Sequence, residues 1–114
     1  MKITSEKLLE YIKKNRYFAT MRNFNYKLGV LISLETERGE IGKAVVMATF
    51  LNTINFRKAL VRFSGFKDVG EWEKEAEAIF KNDKRKLPKY IILCRVTELY
   101  ETDEEEIDMS IDTS

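Results

Sequence analysis

The chain predicts an α+β domain. Three observations lead there: an apolar stripe at helical spacing near the start, a second one after residue 68, and strand-like runs around them. In the first stripe Leu8, Leu9 and Ile12 share one face at helical spacing, with Thr4 or Ser5 as N-cap and Asn15 as the stop, so a helix is expected over about Ser5 to Lys14. So short a helix is marginal in water and must lie against the rest of the fold. Tyr17 to Arg22 reads as a short strand, and Asn23-Phe24-Asn25 turns the chain. Leu28 to Leu34 is the next strand, with Leu28, Val30, Ile32 and Leu34 alternating against Gly29, Leu31 and Ser33. Glu37 to Glu40 is a hairpin turn in which Gly39 can take a positive φ.

Ile41 to Asn55 is a long β segment with two apolar faces, Val45, Met47 and Leu51 on one and Val46, Phe50 and Ile54 on the other. It exceeds the usual ~5–6 residues of a strand, so a bend or bulge is expected. Gly42, Ala44 and Ala48 are expected to share a face and leave room for a packed helix or a ligand. Asn55 to Gly65 reads as a short helical turn around Ala59 and Leu60, then loop. The second amphipathic helix runs from Val69 to about Phe80 on a stripe of Val69, Trp72, Ala76, Ile79 and Phe80. Asp68 followed by Glu71 matches a capping box at its start. Pro88 closes a basic loop from Asn82, and Tyr90 to Leu99 is the last strand.

A chain of 114 residues, 44% hydrophobic and 34% charged, fits one folded domain with a highly charged surface. The expected division is a domain over 1–99 and an acidic C-terminal tail over 100–114. His and Gln are absent and Lys and Glu prevail, a bias that resembles proteins of hot environments. The formal net charge of +1 hides an asymmetry: residues 1–97 carry all 20 Lys and Arg against 11 acids, a net +9, while 98–114 carry the other 8 acids and no base. A basic body is the footprint of a polyanion binder, and an acidic tail can either cover it or keep it soluble. Within the tail Ile107, Met109 and Ile111 alternate with Asp108, Ser110 and Asp112, a strand-like pattern. One cysteine, Cys94, permits no internal disulfide, and without His the usual zinc sets are excluded. No apolar run resembles a signal peptide or a membrane span, so a soluble, cytoplasmic protein without a membrane partner is expected.

Five landmarks occur in a fixed order: Thr20-Met21-Arg22, Lys27-Leu28-Gly29, Gly42-Lys43-Ala44-Val45-Val46, Gly65-Phe66 with Glu71-Trp72 after it, and Tyr90-Ile91-Ile92-Leu93. Over roughly residues 17–97 this series resembles the ASCH domain of the PUA-like superfamily. The resemblance implies a β-barrel of about five or six strands flanked by two helices, and an association with RNA or other nucleic acid. It also implies a polar ligand cleft containing Tyr17, Thr20, Arg22 and Lys43, with Tyr17 standing where the family carries a Lys. A branch of the family resembles amidohydrolases of N4-acetylcytidine that use a Lys, a Thr and a Glu, and other members are ribonucleases. Thr20 and Glu71 are the catalytic candidates on that reading. The missing Lys removes a group of suitable pKa, and the capping box already accounts for Glu71. No cofactor or metal is implied.

A second constellation is the basic loop, where Lys81, Lys84, Arg85, Lys86 and Lys89 place five cations in nine residues. Cations beside aromatic faces suit single-stranded nucleic acid. The neighbouring aromatics are Trp72, Phe80 and Tyr90, but Trp72 and Phe80 lie on the apolar stripe and read as core. Arg57, Lys58, Arg62 and Lys67 extend the basic character. Three functions follow: a nucleic-acid-binding module, an ASCH-type hydrolase or ribonuclease, and a small regulatory or viral interaction protein that uses its tail.

Overall fold

The computed structural model of the chain describes residues 1–80 and 87–100. In chain order the elements are α1 (Glu6–Lys14), β1 (Tyr17–Arg22), β2 (Leu31–Thr36), β3 (Gly39–Leu51), α2 (Ile54–Leu60), a 3₁₀ turn (Val61–Phe63), α3 (Val69–Ile79) and β4 (Tyr90–Leu99). The fold is α+β, built on a four-stranded antiparallel sheet in the order β1-β4-β3-β2. The described residues thus form four strands and three α-helices, where the resemblance implies five or six strands and two helices.

Strand alternation divides the sheet into two faces. The inner face carries Phe18, Leu34, Ala44, Val46, Ile92 and Cys94, covered by Leu8 and Ile12 of α1 and by Ile3. On the outer face Ala19, Met21 and Ile91 pack beneath Leu60, Phe66, Trp72 and Ala76. Each large apolar side chain so buried contributes roughly 1.5–3 kcal/mol. Caps set the helix starts as the sequence predicts. The Ser5 hydroxyl accepts from Leu8 N–H and the Asp68 carboxylate from Glu71 N–H.

The edges of the sheet approach each other without pairing. Residues 1–3 run parallel to β2, with Ile3 N–H donating to the Glu35 carbonyl at 2.7 Å and Glu35 N–H to the Met1 carbonyl at 2.9 Å. From β1, at the far edge, Arg22 Nη1 reaches across to the Lys2 carbonyl at 2.8 Å. One guanidinium therefore spans a gap that a backbone ladder would fill in a closed barrel.

Three elements depart from the sequence reading, each for a local reason. β2 begins at Leu31 rather than Leu28, because Gly29 takes φ +80° and Leu28 to Val30 form a loop fastened to Val46. β3 ends at Leu51, short of Asn55, and carries the expected bulge, its register shifting at Lys43/Ala44 and Val46/Ala48. The second shift turns Ala48 away from the face of Ala44 and opposite Leu93, leaving Met47 exposed. The space expected beside Gly42 is taken by backbone, since a Cβ there would meet the Glu98 carbonyl oxygen. Helix α2 lacks an apolar stripe. Thr53 caps it, and Arg57 ties it to Glu73 of α3 and to Asn52 Oδ1, each at 2.8 Å.

Candidate functional site

Thr20 and Arg22 point to the same face of β1 and meet, with Arg22 Nε donating to Thr20 Oγ1 at 3.2 Å. They line a hollow between β1, the start of α1 and α3, together with Ser5, Ser64, Trp72 and Glu75. Its volume is about 30 Å³, room for one or two waters and far below the ~300–1,000 Å³ of ordinary small-molecule sites. Burial draws the pKa of the Arg22 guanidinium down, an effect that Tyr26 and the Cys94 thiol oppose. Burial also pushes the Cys94 thiol up to about 12, so it is no nucleophile at neutral pH.

The other cleft candidates lie elsewhere. Tyr17 shares the outer face with Ala19 and Met21, opposite to Thr20. Lys43 is also outward, in register with Ser33 and Glu98. Glu71 sits in a separate, shallow groove of about 530 Å³ between α1 and the 65–71 segment. There it accepts from Lys7 Nζ at 2.8 Å and from the Lys67 N–H at 3.5 Å, and the Lys7 hydrogen bond, most of all, holds its carboxyl below the usual range. The acid that shares the Thr20 hollow is Glu75, one turn further along α3 and beside the Trp72-Ala76-Ile79 stripe. That adjacency to the stripe was its visible signal. No described contact joins it to Thr20 or Arg22.

Of the basic loop, Lys89 is described and exposed, while Lys81, Lys84, Arg85 and Lys86 lie outside the described residues, as does the tail over 101–114. Lys89 is fixed through its backbone: its N–H donates to Asn23 Oδ1 at 3.2 Å and its carbonyl accepts from Asn52 N–H at 2.8 Å. Trp72 is core, as its stripe predicts.

A different surface brings aromatic and cationic groups together. On the outer face Tyr17 is paired across the strands with Arg95, Arg95 with Val45, and Val45 with Leu31. Tyr17 at one end of the row is 40% exposed and Leu31 at the other 54%, while Arg95 and Val45 between them are half-buried, so the helices on this side leave the row only partly covered. Arg16 adjoins Tyr17 and extends its pairing with β4 by one bond, its carbonyl accepting from Val96 N–H at 2.7 Å. The 3₁₀ turn supplies Arg62, whose guanidinium lies 5.1 Å from the Phe63 ring centre and whose carbonyl accepts from Tyr11 Oη at 2.9 Å.

No family model, curated protein or solved structure matches this chain. The surface must therefore be judged on its chemistry. Residues 11–34 and 41–67, which supply the end of α1, β1, most of β3, α2 and the 3₁₀ turn, contain no acidic residue. Arg95 and Tyr17 went unrecognised as a pair because their meeting depends on the β1–β4 register. Among the described residues no group of acids and cysteine is arranged to hold a metal ion, and no helix is long and apolar enough to cross a membrane.

Proposed function

We propose that the chain is a nucleic-acid-binding module that engages its ligand across the outer face of the sheet. The observation that carries the reading is the Tyr17–Arg95 cross-strand pair, Tyr17 exposed and Arg95 half-buried, with exposed Arg16 and Arg62 on adjoining segments that hold no acid. Arginine suits the task because its planar fork holds phosphate with two parallel hydrogen bonds and stacks on rings. A phenol beside it offers a face to a base.

The finer assignment, a PUA-like domain of the ASCH type, belongs to the same proposal. It is supported by the curl of the sheet, which brings β1 and the 1–3 segment within reach of one Arg22 side chain, and by helices on both faces. The polar cleft of that family corresponds here to the Thr20–Arg22 hollow, which is too small to admit a nucleoside. Binding is therefore favoured over hydrolysis.

Anisotropy of a labelled single-stranded RNA, titrated with the full chain from roughly 50 to 200 mM salt, tests the reading. Affinity is expected to fall steeply with salt. Combined Arg16→Ala and Arg95→Ala replacement should flatten the slope of log K against log salt by about 1.4, two phosphate contacts at ~0.7 each. Absence of binding at the lowest salt, by a chain that melts cooperatively, would remove the proposal.

A further inference from the structure

We infer that the loop between β1 and β2 is a stacking site for an unpaired base, with Phe24 as the platform and Lys27 and Lys89 as phosphate contacts. This rests on the nucleic-acid reading above and adds the class of strand, single rather than double. Phe24 is 68% exposed, more than any other large apolar side chain among the described residues. A single exposed ring is ordinary on a protein surface. This one is held in place.

Its ring meets Tyr26 in a T-shaped contact, with centroids 5.0 Å apart and planes at 82°. Tyr26 in turn packs against the inner core, so Phe24 is braced on one side and open on the others. Both ends of the loop are fastened. At one end Asn23 Oδ1 accepts from Lys89 N–H at 3.2 Å. At the other Gly29 N–H donates to the Val46 carbonyl at 2.9 Å, and Val46 N–H to that of Val30 at 3.1 Å. The Lys89 side is anchored again by Asn52, whose Nδ2 donates to the Pro88 carbonyl at 2.7 Å. Residues 24–28 thus project as a preformed tip, and the entropy of ordering them is spent before any ligand arrives.

The chemistry of the tip selects its ligand. Lys27 lies within it and Lys89 at its foot, both exposed, and no acid occurs between residues 11 and 34. Positive charge beside an open ring fits a phosphate and its base. Bases within a duplex are already stacked and turned inward, so a lone projecting ring can meet only one that is unpaired.

The test uses the full chain with a labelled oligouridine and a labelled RNA hairpin stem of similar length. Phe24→Ala is expected to weaken oligouridine binding about ten-fold while leaving the salt slope unchanged, because the lost contact is uncharged. Joint Lys27→Ala and Lys89→Ala replacement should instead flatten the slope. Phe24→Trp should keep the affinity, and its fluorescence should be quenched by oligouridine and not by the stem. The quench guards against an alanine variant that fails to fold. If the wild-type chain binds oligouridine and Phe24→Ala binds equally well, the stacking site is overturned and the outer-face reading stands. An equal Phe24→Ala loss on stem and oligouridine overturns the single-strand assignment. If the folded wild-type chain binds neither probe, both readings fall.

Discussion

Arg22 stands where a strand pairing is missing. Its Nη1 holds the Lys2 carbonyl and its Nε holds Thr20, so one side chain fastens the N-terminal segment to the opposite edge of the sheet. A hydrogen bond from a charged donor is worth about 1.5–3 kcal/mol, and its loss leaves the Lys2 carbonyl without this donor. Arg22→Ala should therefore cost about 2 kcal/mol, which lowers the melting temperature by roughly 10 °C in a domain of this size. Arg22→Lys should recover little, since an ammonium lacks the rigid fork that reaches both acceptors. A calorimetric melt within a degree or two of wild type would show that the seam does not need the guanidinium. The sequence marks Arg22 for polar duty; its partner, twenty residues away, depends on the curl of the whole sheet.

At the scale of elements, α1 docks through a close backbone approach at Gly65. This residue has φ +88°, and a Cβ there would lie 2.6 Å from the Lys7 carbonyl oxygen in α1. Gly29 provides an internal comparison, with φ +80° and nothing within 4 Å of the same added atom. Both alanine replacements incur the left-handed backbone cost of about 1–2 kcal/mol. Gly65→Ala must additionally push α1 off its seat. Urea unfolding should place Gly65→Ala clearly below Gly29→Ala, and equal midpoints would contradict a tight seat. The same contrast explains what the sequence reveals. Helices α1 and α3 and strands β1 and β4 are legible because their caps and stripes are local. The start of β2, the position of the bulge that turns Ala48, and the extent of α2 are not, because they depend on Gly29's backbone and on Arg57 reaching Glu73. The candidate surface follows the same rule. Thr20 and Arg22 meet because they lie two apart on one strand, whereas Tyr17 finds Arg95 through a register that only the assembled sheet defines.

Across the whole molecule the charges are sorted along the chain. Residues 1–100 carry 20 bases and 12 acids, a net +8, and residues 101–114 carry seven acids and no base. Their charge has the sign of the proposed ligand and offsets most of the net charge of the body. Deleting 101–114 should therefore tighten binding of single-stranded RNA, by about ten-fold at low ionic strength. The gain should fade as screening shortens the Debye length towards ~3 Å near 1 M salt. A specific structural role for these residues predicts otherwise: a gain that persists at high salt, or a truncated chain that melts lower. Use of the tail as an interaction element for a protein partner predicts loss of that partner on truncation. Parallel salt titrations of the two chains separate these outcomes. A folded truncated chain that binds no more tightly at any salt would show that the acidic tail does not oppose the ligand.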